Sequence, residues 1–318
     1  MRFAIQTPPE HTDFASLREV WGAADELGFH AAFTFDHLIP VNPNPPPGPM
    51  AGSQLEGWIT LASLAAGTRR LHVGTLVSGV TYRHPSMLAK MAVTLDQATG
   101  GRAILGLGAA WHEAEHRMFG IPFPPVGQRM ERLEEALEIF GLLCSSPGPA
   151  SYDGRHYQLR EAVFLPKPVR PEGIPVLIGG GGNRTRSIVA RHASIYNGFF
   201  APWEWRDVNE DLDRRVKAAG RDPGEIERSA FVFAELLRDR SREDALVAHF
   251  QRTRGGTEEE VRSRVLLGDP ERNVEVLRSY EAAGISLVVM NLRAPYDPSG
   301  LEWFAEEVMP VMTEASAP

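Results

Sequence analysis

Residues 71–77 read Leu71-His72-Val73-Gly74-Thr75-Leu76-Val77, and residues 103–107 read Ala103-Ile104-Leu105-Gly106-Leu107. Each is a short apolar run without period-two alternation, the pattern of a strand buried on both faces. Between them Met87, Leu88, Met91 and Leu95 fall on one helical face, and Gly100-Gly101 ends that helix. A strand, a helix and a strand in this order make a βαβ unit, and the same rhythm extends in both directions. Upstream lie a strand at Phe3-Ala4-Ile5-Gln6 and a helix from Asp13 or Ser16 carrying Phe14, Leu17, Trp21, Ala24 and Leu27. Gly28 stops that helix, and Ala31 to Phe35 forms the next strand. Downstream, a helix over about 128–143 turns Leu133, Leu137 and Phe140 inward, and residues 146–175 break the rhythm with a hairpin from Tyr152 to Leu165. Strand signals return at 176–178, 195–199, 231–236 and 287–291, with helices near 185–193, 204–219, 241–252, 257–266, 270–283 and 299–313. Eight strand-like runs separated by helices predict a (β/α)8 TIM barrel with insertion segments, one domain over residues 1–318. The competing architecture is a doubly wound open sheet with a second domain at 146–318. It lacks its dinucleotide fingerprint, because Gln6-Thr7-Pro8-Pro9 after the first strand holds no glycine.

Composition narrows the function classes. The 33 basic and 41 acidic side chains leave a net charge of -8, so there is no global electrostatic case for nucleic acid. Lysine occurs only at 90, 167 and 217. Cys144 is the single cysteine, which excludes a disulfide framework and an all-cysteine metal site. There is no 18-residue apolar run, and the N-terminus lacks the basic and apolar regions of a signal peptide. The expectation is a cytoplasmic protein that binds a small molecule, without nucleic-acid or membrane partners.

Barrel chemistry belongs to the C-terminal ends of the strands. The second strand ends in Thr34-Phe35-Asp36-His37, an ionisable pair suited to acid–base work or, equally, to tying down the next loop. That loop, Pro40 to Pro49, contains six prolines and reads as a stiff wall over the mouth. Small residues around Leu76, Val77 and Gly79 let a flat ligand approach the backbone, as do Ala109 and Ala110, while Trp111 offers an aromatic face. After the fifth strand, Gly179-Gly180-Gly181-Gly182-Asn183-Arg184-Thr185 opens a helix, a local anion site in which Arg184 adds a two-pronged donor. His112-Glu113-Ala114-Glu115-His116 matches a zinc-peptidase pattern, with Glu134 or Glu135 as a third ligand. Its place on a barrel-mouth loop argues against that chemistry, and no metal site is expected.

Taken in order, these segments resemble the bacterial luciferase-like superfamily, in its branch using coenzyme F420. The motifs are Phe33-Thr34-Phe35-Asp36-His37, Gly74-Thr75-Leu76-Val77 with Tyr82-Arg83-His84-Pro85, Leu95 to Arg102, Gly106 to Glu115, and Gly179 to Gly182 with Ala190 to Ala193 and Asn197 behind it. The resemblance implies a TIM barrel with the deazaflavin ring across the strand ends, against Leu76, Val77, Gly79, Ala109, Ala110 and Trp111. It places a non-prolyl cis peptide between Leu76 and Val77, and the cofactor phosphate on Gly180, Gly181, Gly182 and Arg184. It makes His37 the acid/base of a hydride transfer between the deazaflavin and a substrate carbon, with Asp36 holding its tautomer. An FMN-dependent monooxygenase on the same barrel is the alternative, and a non-catalytic flavin-binding barrel the second. Relatives of this kind imply a homodimer.

Overall fold

All eight apolar runs form strands in the computed structural model, which describes residues 1–43, 45 and 47–314. Asn44 and Pro46 of the proline-rich loop lie outside the described residues. The strands are β1 (Arg2–Gln6), β2 (Ala31–Thr34), β3 (His72–Thr75), β4 (Ala103–Gly108), β5 (Val176–Gly179), β6 (Ile195–Gly198), β7 (Glu227–Phe233) and β8 (Leu287–Asn291). Every neighbouring pair is parallel, and β1 pairs with both β2 and β8, so the sheet closes on itself. This is the (β/α)8 barrel. The hairpin expected from Tyr152 to Leu165 is present as an antiparallel pair, Ala150–Asp153 with Gln158–Ala162, outside the barrel.

The helices are α1 (Phe14–Glu26), α2 (Gly57–Ala65), α3 (Pro85–Thr99), α4 (Glu113–Met118), α5 (Val126–Ser145), α6 (Asn183–His192), α7 (Trp205–Ala218), α8 (Arg240–Arg254), α9 (Glu258–Arg262) and α10 (Pro270–Ala282). A final helical run covers Ser299–Glu314 in three segments. Two of these were not expected. The sequence of α2 is apolar nearly all round and lacks a clear stripe, and its start is set by Glu56, whose side chain accepts from the Ile59 N–H. The helix α4 is a short turn hidden inside the loop after β4. The helix expected over 257–266 ends at Arg262, because the chain turns back to lay Leu266 beside Ala234 in an isolated parallel bridge. No helix among the described residues is long and apolar enough to cross a membrane.

Two cores hold the barrel. Inside it, Ala4, Phe33, Leu76, Ile104, Leu177, Ile195 and Val289 pack across the axis. Outside it, the opposite faces of the same strands meet the helices through Trp21, Leu61, Leu105, Trp205, Tyr280 and Phe304. Burying one such large side chain contributes roughly 1.5–3 kcal/mol. At β3 the ladder breaks: the Leu76–Val77 peptide is cis, as the resemblance implied, and the strand resumes at Ser78–Gly79 beside β4. The two strands approach so closely there that a Cβ on Gly106 would lie 1.8 Å from the Thr75 carbonyl oxygen. Backbone cannot yield as a flexible side chain can, so only glycine fits.

Gly106→Ala is therefore expected to destabilise the fold by about 3 kcal/mol, at the upper end of overpacking costs. Gly141→Ala, on an exposed stretch of α5 where an added Cβ meets nothing within 4 Å, should instead stabilise by about 0.5–1 kcal/mol. Urea denaturation of the two variants checks both signs.

Candidate functional site

The C-terminal ends of the strands enclose a cavity of about 740 Å³, within the range of small-molecule and cofactor sites. Its floor is the bend after β3. The Val77 side chain leans over three glycines, and a Cβ on Gly108 would come within 2.8 Å of Val77 Cγ2. The Leu76 carbonyl accepts a bond from the Gln6 side chain, and Gln6 in turn accepts one from Asn291 at 2.7 Å. The bend is thus held from β1 and β8, across the barrel. Leu76, Val77, Gly79, Ala109, Ala110, Trp111 and Gly180 all line the cavity, as do His37 and Asp36. Trp111 is 61% exposed, with its ring edge-on to His37 at 5.6 Å.

Beside the floor, Glu115 is fully buried and carries the site's polar network. Its carboxylate accepts from His37 Nδ1 at 2.8 Å, from the Leu38 N–H at 2.8 Å and from the Tyr82 hydroxyl. Burial alone would push this carboxyl up, but the bonds from His37, Tyr82 and Leu38 outweigh it and hold it down at about 2. Burial and the Glu115 carboxylate push the Tyr82 phenol up, so it stays a donor. With Nδ1 donating to a carboxylate, His37 is left with Nε2 as the atom able to take or give a proton.

Asp36 does something other than expected. It does not hold the His37 tautomer; its two oxygens are taken by Arg83, at 2.5 and 3.1 Å. Adjacent residues at a strand end project to opposite sides, which separates Asp36 from the His37 ring. Arg83 also bonds Glu56 at 2.6 Å and so pins both ends of the loop between β2 and α2. Burial pushes the Asp36 carboxyl up, with Arg83 pulling the other way.

Of the zinc-like histidines, His116 is committed elsewhere. His116 Nδ1 donates to the His112 carbonyl at 2.8 Å, and its Nε2 accepts from Thr81 at 2.7 Å, leaving neither nitrogen for a metal.

The glycine loop leads into α6, whose N-cap Gly182 supplies no side-chain cap, so the amides of the first turn are open to an anion. Gly179, Gly180 and Thr185 line the cavity, whereas Gly181, Gly182 and Arg184 are not among its lining residues. Arg184 lies 3.8 Å from Glu131 of α5. The loop's own clamp is Arg186, which bonds the Gly181 carbonyl, Asn183 and Asp211. Sequence reading passed over Thr185, Tyr82, Glu115 and Gln6. A flat floor of small residues, an uncapped helix start beside it and a histidine with one free nitrogen fit a planar heterocycle with an anionic side chain.

Comparison with known proteins gives the family. The family model described as luciferase-like monooxygenase matches residues 1–253. A protein of Nakamurella multipartita named F420-dependent glucose-6-phosphate dehydrogenase is 26% identical over 98% of this chain and 96% of its own length. One of the same name from Microbacterium testaceum is 30% identical, and there the alignment spans 62% of this chain and little more than half, 56%, of that relative. Among solved structures, an F420-dependent secondary alcohol dehydrogenase in complex with an F420–acetone adduct superimposes with a TM-score of 0.81 at 17% identity, covering 96% of this chain and 98% of that one. With the barrel, the bend at Leu76–Val77 and a match across most of its length, the chain belongs to the luciferase-like monooxygenase family.

Proposed function

We propose that the protein is a coenzyme F420-dependent oxidoreductase acting on a small organic substrate. The observation that carries this reading is the His37–Glu115 pair at 2.8 Å on the wall of an apolar cavity floored by Leu76 and Val77. F420 is favoured over FMN because the full-length relative named above is F420-dependent. Bound there, the cofactor supplies two-electron hydride chemistry.

The chain's own groups do the rest. Leu76, Val77, Gly79, Ala109 and Ala110 hold the ring, with Trp111 at its open side. Gly180, Gly181, Gly182 and the first turn of α6 would hold the phosphate of the side chain, with Arg184, 3.8 Å from Glu131, as the nearby guanidinium. His37 Nε2 holds or releases the proton that accompanies hydride transfer. Glu115 keeps the His37 ring oriented. Asp36, through Arg83, holds the loop that positions His37. Val41 and Pro43 of the proline-rich loop help to exclude water. The same reading takes residues 1–318 as one domain, working as a cytoplasmic homodimer.

Fluorescence titration of the purified protein is expected to show saturable F420 binding and no comparable binding of FMN; tight binding of FMN alone would move the assignment to a monooxygenase. His37→Ala should leave F420 affinity nearly unchanged while turnover, followed by deazaflavin absorbance against a panel of alcohols and carbonyl compounds, falls by roughly 10²–10⁴-fold. Unaltered turnover in that variant would remove His37 from the chemistry, and no turnover in the F420-loaded wild type would make the barrel a binding protein.

Glu115 also predicts a pH dependence of stability. Its carboxyl is held at about 2 in the fold against 4.5 ordinarily, so the folded state takes up its proton less readily than the unfolded chain. That contribution, on the order of 3 kcal/mol, is fully present above about pH 5 and is lost as the pH falls toward 2. Glu115→Gln should lag the wild type by about that amount in urea melts near pH 7, and the gap should shrink by about pH 3. A gap independent of pH would mean that the carboxylate's charge is not what stabilises the site.

A further inference from the structure

The ends of β2 to β5 carry the features assigned to the cofactor. The ends of β6 to β8 form the other half of the cavity, and their chemistry is different. Phe199 follows β6, and Phe231 and Phe233 lie on β7; their rings meet edge to face with centroids 5.5–5.9 Å apart. Basic side chains stand over this wall. The Arg254 guanidinium is 4.7 Å from the Phe199 centroid, the Arg293 guanidinium is 5.1 Å from that of Phe233, and His249 lines the same side.

Arg293 is half-buried, and among the described residues it has no carboxylate within 4 Å and no side-chain hydrogen bond. The acids around it are engaged elsewhere. Glu10 accepts the N–H groups of Val41 and Asn42, and Glu235 pairs with Arg242 at 2.9 Å. Burial accordingly pulls the Arg293 guanidinium below its ordinary range, with Glu10 and Glu235 opposing. A half-buried cation that faces a cavity and lacks a partner is matched by a ligand anion, which a guanidinium grips in a planar, two-pronged way.

We propose that this wall seats the substrate, and that the substrate is an aromatic carboxylate: its ring lies against Phe199, Phe231 and Phe233, and its carboxylate bonds Arg293, with Arg254 at the outer edge. The proposal rests on the reading that the cofactor occupies the opposite half. The phenylalanine rings offer no hydrogen-bond partner to the hydroxyls of a sugar, and hydroxyls buried without partners are strongly disfavoured. With Glu10 and Glu235 close by, a singly charged planar anion suits Arg293 better than a doubly charged phosphate.

The test is calorimetric titration of the F420-loaded protein with cinnamate and with its neutral isostere cinnamamide. Cinnamate is expected to bind about tenfold or more tightly than the amide, and Arg293→Met should erase that ratio while F420 affinity stays within about twofold. Arg254→Met, at an exposed position that cannot compromise folding, should reduce the ratio by about threefold. Equal binding of acid and amide, no binding of either, or a preference that survives Arg293→Met overturns the proposal. Loss of F420 affinity in Arg293→Met also overturns it, by assigning the arginine to the cofactor. If the wild type does not bind F420, the cofactor reading fails, and the same cinnamate-to-cinnamamide ratio measured without cofactor still decides the anion site.

Discussion

A carboxylate with no access to water governs the mouth of this barrel. Glu115 sits on α4, after β4, and its three donors come from the segments after β2 and β3: His37, the Leu38 backbone and Tyr82. An ionised group in that setting is tolerable only when its lone pairs are filled. The loops after three successive strands are therefore constrained to one mutual arrangement, because displacing any of them leaves a buried charge short of a donor. Two further ties act in parallel. Arg83 joins Asp36 to Glu56, and His116 joins Thr81 to the His112 carbonyl. Rigidity at the histidine is a consequence of this network, and it is the kind of preorganisation that proton transfer requires.

The apolar side of the site obeys a complementary rule. Where β3 bends at Leu76–Val77, the neighbouring strands answer with glycine, at 106 against the Thr75 backbone and at 108 and 179 against the Val77 side chain. The side chain of Val77 occupies the room those glycines release. Gln6, deep in the barrel and itself held by Asn291, then donates to the carbonyl that the bend exposes. A floor made in this way is flat and nearly free of polar atoms. The charged groups are left at its edges, where they can address a ligand.

Much of this was legible in the residues, and the reasons for success and failure are physical. Most strands carry a short apolar run because a parallel barrel buries both faces, so all eight stood out, although β7 starts at Glu227, four residues before the expected run. The helix α2 did not, since it too is apolar nearly all round and offers no 3.6-residue stripe. The Asp36-His37 adjacency looked like a dyad, yet side chains next to one another on extended backbone diverge. The true partner of His37 lies 78 residues away. Glu115 was in view within the zinc-like segment, but as a spacer between two histidines; its burial was the missing information. Arg184 was singled out for its charge beside the glycine loop, whereas Arg186, two residues on, is the residue that braces that loop.

The strand order itself divides the cavity. The recognisable motifs fall between residues 33 and 115 and between 179 and 197, which places them at the ends of β2 to β6. Phe231, Phe233, His249, Arg254 and Arg293 belong to no such motif, and β7, α8 and the segment after β8 bring them together. A cofactor shared by many enzymes demands the same floor and the same anion site each time, so those residues come in readable strings. A substrate is gripped by whatever the remaining strand ends present, and side chains drawn from three separated segments leave no string to read. The unpartnered guanidinium of Arg293 becomes visible only once the barrel has closed around it.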